Sequence, residues 1–210
     1  MNEKPVPSII YIGDPMCSWC YGIAPELSEL KMYYQGRVDF DIVLGGLRPY
    51  NQQTMFELKD FLKGHWQHVH EASNQPFNYS ILENQSITYD TEPPCRAVVT
   101  VRSMDESKTL SFFNEIQKDF YYDNKNMHKL ESYDEALEKV GIDKEKFSQR
   151  FQSEEMKEKV KEDFKLTAEM GVSGFPTILL KQGDHIQMVA SGYMKAESLI
   201  QKIDGMLKQH

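Results

Sequence analysis

The sequence predicts an α/β fold, a small mixed sheet with flanking helices interrupted by an all-helical subdomain. Three observations carry that prediction. Residues 8–44 spell strand, helix, strand. From Gln53 to Gln152 strand signals are almost absent and helix-compatible segments dominate. After Pro176 the text returns to a strand, a Gln182-Gly183-Asp184 turn, a second strand and a closing helix.

Each element follows from local pattern. Ser8-Ile9-Ile10-Tyr11-Ile12-Gly13 is mostly apolar with little alternation, which predicts a strand covered on both faces. Asp14-Pro15 stops it. Ile23, Leu27, Leu30 and Tyr34 fall at helical spacing and predict a helix from Cys20 to about Gln35. Val38 to Leu44 is the second strand, closed by Gly45-Gly46, and the unit has the length of a parallel crossover. In the middle block, Met55, Leu58, Phe61 and Leu62 share one face of a helix reaching His70, and residues 73–91 are loop-like. Pro93-Pro94 opens a helix through Ala97, Val98 and Val101. Further helices are expected over Lys108–Tyr122, Tyr133–Val140 and Lys144–Phe151. Glu154 to Met170 is a long charged helix with an apolar stripe at Met156, Val160, Phe164 and Thr167 or Ala168, ended by Gly171. Thr177–Leu180 and Ile186–Ala190 form a hairpin, and Glu197–Leu207 is an amphipathic helix. The expected division is residues 1–50 for the first part of the core, 51–152 for the insertion and 153–210 for the second part. Two separate domains in tandem are the rival reading.

Composition narrows the function. The chain has 210 residues and a formal net charge of -8, from 32 acidic and 24 basic residues. It shows no basic patch interleaved with aromatics, which argues against nucleic acid as partner, because phosphate affinity comes from Lys and Arg. No apolar stretch is long enough to span a bilayer, so no membrane partner is expected. The start, Met1-Asn2-Glu3-Lys4-Pro5-Val6-Pro7, lacks the pattern of a secretory signal. Three cysteines cannot all pair within one chain. A cytoplasmic location is therefore expected, with any disulfide transient rather than structural.

The chemistry is expected at Cys17-Ser18-Trp19-Cys20, between the first strand and its helix. Two thiols three positions apart on a first helical turn can close a disulfide between themselves. At a helix N-terminus the unpaired N–H groups favour a thiolate. That placement makes Cys17 the catalytic nucleophile and Cys20 the catalytic resolving thiol. Two buried structural thiols, or half of a zinc site completed by Cys95 and a histidine, are the alternatives. Trp19 is either a client contact or a core aromatic. Asp14 either assists proton transfer at Cys20 or caps backbone N–H groups of the turn. Phe175-Pro176 is the second signal. A proline cannot donate to a sheet ladder, so it belongs at a strand start, and a cis bond there would turn the Phe175 backbone toward an extended peptide.

Taken together, Asp14-Pro15-Met16-Cys17-Ser18-Trp19-Cys20-Tyr21-Gly22, a helical block and Gly171-Val172-Ser173-Gly174-Phe175-Pro176-Thr177 resemble the DsbA-like branch of the thioredoxin superfamily. The likeness is to its cytoplasmic group of protein-disulfide isomerases, neighbours of the FrnE-like proteins, and covers about residues 8–207. It implies a thioredoxin-like core with an inserted helical subdomain. It implies catalytic Cys17 and Cys20, and a cis Pro176 facing them beside Phe175. The chain departs from the exported oxidases of that branch, which carry Pro-His where it has Ser18-Trp19, so the thiolate lacks a neighbouring cation.

The expected function is thiol–disulfide oxidoreduction of the protein disulfide isomerase or reductase type. Protein or peptide thiols and disulfides are the expected partners, with glutathione a candidate redox partner and no bound cofactor or metal. Substrate contacts are expected from Trp19, Phe175 and Pro176. A glutathione-dependent transferase or isomerase of related fold, and a non-catalytic peptide-binding module, are the alternatives. His65, His68 and His70 are read as surface residues, Cys95 as a buried small residue or a neighbour of the redox pair, and Arg96 as a weak candidate for anion binding.

Overall fold

The computed structural model describes residues 6–208. Met1–Pro5, on which much of the localisation expectation rests, lies outside them.

Strand β1 (Ser8–Gly13) lies inside a four-stranded sheet of order β2-β1-β3-β4. It runs parallel to β2 (Asp39–Leu44) and antiparallel to β3 (Thr177–Gln182), which pairs antiparallel with β4 (His185–Ser191). Ile9 sits opposite Phe40 on one side and Leu180 on the other. One sheet is thus built from both ends of the chain, which excludes two tandem domains. All six residues of β1 are buried. Ile9 and Tyr11 join the large core, while Ile10 and Ile12 pack with Val43, Val172 and Leu179 on the opposite face. Burial on both faces is why β1 does not alternate in sequence.

The helix after β1 is broken in two: α1 (Ser18–Gly22) and α2 (Ala24–Tyr33) meet at Ile23. Pro25, in the first turn of α2, lacks the N–H that a continuous helix would need. The insertion follows β2. Its first helix, α3 (Lys59–Ser73), begins later than the apolar spacing predicts. Met55 N–H donates to the Ile87 carbonyl at 2.8 Å, and Thr54 bridges Thr88, so extended pairing holds this stretch out of the helix. The predicted loop 73–91 contains a 3-10 turn at Tyr79–Glu83, capped by the Asn78 side chain. Then come α4 (Glu92–Met104), α5 (Thr109–Tyr121), α6 (Asp134–Val140) and α7 (Lys144–Phe151). The core resumes with α8 (Glu154–Glu169), whose N-terminus is capped by Ser153, and ends with α9 (Ala196–Leu207) against α2 and β4. Of the α8 stripe, Met156, Val160 and Thr167 are buried, whereas Ala168 is exposed. No described helix is long and apolar enough to cross a membrane.

One ion pair fastens the insertion to the sheet. Arg102 on α4 donates from Nη1 and Nη2 to the two carboxylate oxygens of Asp163 on α8, at 2.8 and 2.7 Å. Nη1 also reaches the Ile42 carbonyl at 2.6 Å, and Asp163 accepts the Leu44 N–H at 2.9 Å. The outer edge of β2 is thereby covered by side chains from two helices. Removing one partner of a mostly buried pair strands the other charge. Arg102→Met should lower the unfolding free energy by about 3 kcal/mol in urea titrations. Adding Asp163→Asn should recover part of that loss, because no unpaired charge remains.

Candidate active site

The site begins where β1 ends. Asp14 is fully buried, and burial raises its carboxyl above the ordinary carboxylate range. Hydrogen bonds oppose that shift. The carboxylate accepts from Met16 N–H at 2.8 Å, Leu47 N–H at 2.7 Å and the Cys95 thiol at 3.3 Å, and the Thr91 hydroxyl faces it. Its main-chain carbonyl accepts the Cys17 N–H at 3.0 Å. Asp14 therefore holds the turn, but through Met16 rather than through Cys17 or Ser18. What it directs at Cys20 is its main-chain N–H. Cys95 is buried and belongs to this cluster, and burial, then Asp14, push its thiol well up.

Cys17 is the N-cap of α1, extended at φ -88 and ψ 119. Its sulfur lies 3.6 Å from the Phe175 carbonyl, to which the thiol donates. Cys17 is 5% exposed and Cys20 0%, so only Cys17 offers any surface to a partner. Burial and then the neighbouring Cys17 push the Cys20 thiol well above its ordinary value. Beneath the pair lie phenols. Tyr11 from β1 faces Cys20, and burial followed by Cys20 raises it in turn. Its hydroxyl fits only because residue 13 is glycine: a Cβ there would sit 2.3 Å from the Tyr11 oxygen. Tyr89 donates to the Met16 carbonyl, and Tyr21 on α1 stacks on Tyr121 of α5 at 4.8 Å.

The Phe175–Pro176 peptide bond is cis. The Phe175 carbonyl faces Cys17, whereas its ring lies over Gly45, where a Cβ would come within 2.1 Å. Trp19 is half-buried, with Tyr193 against it at 6.1 Å between ring centroids. The fold thus brings Asp14, Cys17, Cys20, Phe175 and Pro176 to one end of the sheet. It does not bring Arg96, which pairs with Glu92 at 2.9 Å and donates to the Phe151 carbonyl at 2.8 Å. His65, His68 and His70 are exposed on α3, and His70 contacts the Gln75 carbonyl. No group of three metal-binding side chains converges among the described residues.

Two site residues escape a reading of the sequence. Tyr11 carried one signal, a phenol amid the isoleucines of a strand buried on both faces. Arg48 carried none. It follows Leu47 in the loop after β2, and its guanidinium lies 5.8 Å from the Tyr89 ring centroid and 5.9 Å from that of Phe61. Among the described residues it makes no ion pair.

A sheet core with a helical insertion, presenting a Cys-x-x-Cys turn beside a cis proline, defines an enzyme of the DsbA-like thiol–disulfide oxidoreductase and isomerase class. Residues 10–197 match the family described as Thioredoxin, and the chain belongs to that family. A candidate protein disulfide isomerase from Nitrosomonas europaea is 33% identical, with a TM-score of 0.91 over 98% of this chain and 100% of that one. The cytosolic disulfide reductase DsbM from Pseudomonas aeruginosa is 22% identical, with a TM-score of 0.81 over 97% of this chain and 100% of that one. A second DsbM structure is of that protein with GSH. The ClpXP adapter protein SpxH of Halalkalibacterium halodurans is 22% identical over 98% of this chain, which spans 69% of it. For SpxH of Bacillus subtilis the values are 21%, 87% and 60%. The DsbM and SpxH likenesses speak to fold alone.

The burial order predicts the reactivity order. Brief treatment with iodoacetamide at neutral pH should label Cys17 well before Cys20 and Cys95, as read by peptide mapping. Preferential labelling of Cys20 would reverse the roles of the two thiols.

Proposed function

We propose that the chain is a cytoplasmic dithiol oxidoreductase of reductase or isomerase type, with Cys17 as nucleophile, Cys20 as resolving thiol and glutathione as redox partner. The observation that carries this reading is the asymmetry of the pair: Cys17 caps a helix against the Phe175 carbonyl, while Cys20 is fully buried under it. Cys17 attacks a client disulfide. The Cys17–client bond forms as the client's own S–S bond breaks, and the displaced thiolate takes a proton from solvent. Cys20 then attacks the Cys17 sulfur, closing the Cys17–Cys20 bond and releasing the client as a second thiol. Two electrons pass from the dithiol to the client. Two glutathione thiols return them and leave as glutathione disulfide. In isomerisation the client's own thiol resolves the intermediate instead.

Substrate contacts are assigned to the backbone at Phe175 and Pro176, which an extended peptide can pair with, and to the exposed side of Trp19. For glutathione, Arg48 replaces Arg96 as the carboxylate-binding group. Its guanidinium is unpaired among the described residues and is steadied over Tyr89, the residue that bonds to the Met16 carbonyl next to Cys17. The reducing direction is supported by the Ser18-Trp19 dipeptide, which adds no cation beside the thiols.

The following measurements test this. Cys20→Ser should accumulate a mixed disulfide through Cys17, and Cys17→Ser should abolish insulin reduction with dithiothreitol. Glutathione conjugation to an electrophile in the absence of thiol exchange would favour the transferase alternative. Aggregation suppression that survives Cys17→Ser, with no exchange in the wild type, would favour a binding module, the role closest to the SpxH adapters. For Arg48→Ala, the ratio of kcat/KM on glutathione disulfide to that on uncharged hydroxyethyl disulfide should fall about tenfold, the range of one charge-assisted hydrogen bond.

A further inference from the structure

Tyr11 is fully buried, and its hydroxyl meets no nitrogen or oxygen partner: the polar group it is directed at is the Cys20 thiol. Leaving a buried hydroxyl without a strong partner is costly, so such a group calls for an explanation. The phenol is not there by default. It projects from β1, its ring is held edge-on by Phe113 at 5.6 Å, and the space for its oxygen exists only because residue 13 lacks a Cβ. Its foremost polar neighbour is Cys20, ahead of Cys17 and Asp14. A protonated thiol is a weak acceptor, whereas a thiolate is a strong one. The hydroxyl therefore gains a strong partner in one state of the site, when Cys20 is ionised.

We propose that Tyr11 is a positioning residue for the resolving step, its hydroxyl donating a hydrogen bond to the Cys20 thiolate that attacks the mixed disulfide. The proposal rests on the assignment of Cys17 as nucleophile and Cys20 as resolving thiol. An interaction that is weak in the resting dithiol, where the acceptor is a thiol, and strong in the reacting state, where it is a thiolate, lowers the barrier between them. Proton and electron accounts close without Tyr11 changing its own protonation. Cys20 releases its proton to water, its sulfur bonds to Cys17 as the Cys17–client bond breaks, and the departing client thiolate takes up a proton. Tyr11 keeps its proton throughout, in line with the burial that pushes its own ionisation well up. The groups facing Cys20 are Tyr11 from β1, Cys17 from α1, Asp14 from the turn and Tyr121 from α5, with Tyr89 next to Tyr121. None of these is a cation. The Tyr11 hydroxyl and the Asp14 main-chain N–H are the donors directed at the sulfur.

Ellman's reagent separates the two steps. Attack by Cys17 releases one thionitrobenzoate, and resolution by Cys20 releases the second from the mixed disulfide. Stopped-flow absorbance over a pH series reads both. In Tyr11→Phe the ratio of the second rate to the first should fall about tenfold at pH 7, and the pH midpoint of the second phase should rise by about one unit. The sign follows from the thiolate: losing its donor makes it harder to form, so a higher pH is needed. Placing 3-fluorotyrosine at position 11 makes the O–H a stronger donor and should move the midpoint the other way. Tyr121→Phe is the comparison, because its hydroxyl is buried under the same pair but its foremost polar neighbour is Tyr89 rather than Cys20. Equal slowing in Tyr11→Phe and Tyr121→Phe, or a second phase in Tyr11→Phe that matches the wild type at every pH, would overturn the proposal. A second phase that persists in Cys20→Ser would instead overturn the assignment of the resolving thiol on which it rests.

Discussion

Asp14 is the residue on which the site depends. It ends β1, and its buried carboxylate is met by donors from three separate stretches of chain: Met16 in the redox turn, Leu47 in the loop after β2, and Cys95 on α4 of the insertion. Burial disfavours its charge, and these donors offset part of that penalty. A buried carboxylate with fewer partners would be costly, so the three stretches are held to one arrangement. The same residue accepts the Cys17 N–H through its main chain, which fixes where the helix cap falls. One side chain and its backbone thus fix the position of Cys17 and tie the turn to the insertion.

The insertion is a wall of the site rather than an appendage. Tyr21 on α1 stacks on Tyr121 of α5, and Trp66 of α3 packs against Phe77, Phe120 and Tyr121 behind them. Tyr89, just ahead of α4, bonds to the Met16 carbonyl. On the far side, Arg102 and Asp163 fasten α4 to α8 and to the edge of β2. The low-dielectric floor under the dithiol is therefore built half from the sheet and half from helices inserted far away in sequence. That floor is what keeps the inner thiol protonated at rest.

The two thiols are chemically unequal for reasons of place. Cys17 sits at a helix cap with a carbonyl opposite, while Cys20 sits one turn deeper among phenols. No histidine, lysine or arginine lies between them in sequence, so the dipeptide places no cation beside Cys20, whose directed donors are the Tyr11 hydroxyl and the Asp14 main-chain N–H. Arg48 brings positive charge to the vicinity from the loop after β2. Its position over the Tyr89 ring suits an anionic partner more than the thiols themselves.

The sequence by itself determined the local matters. The order of elements was legible because burial period, glycine and proline act within a few residues, as in Gly171 just after α8 and the Gln182-Gly183-Asp184 hairpin turn. The dithiol was legible because Cys17 and Cys20 are neighbours on one helical turn, and the proline at 176 because a strand start tolerates it. Errors fell where a distant partner decided the outcome: Met55 is drawn out of its helix by Ile87, and Arg96, an anion-binding candidate, is taken by Glu92 and Phe151. Only the tertiary structure decided that Tyr11 faces Cys20 across the space left at Gly13. It alone decided that Cys95 donates to Asp14 and that Arg48 stays unpaired beside the site among the described residues. Those contacts join residues tens of positions apart, and no spacing along the chain encodes which buried polar group will find a partner and which will be left waiting for one.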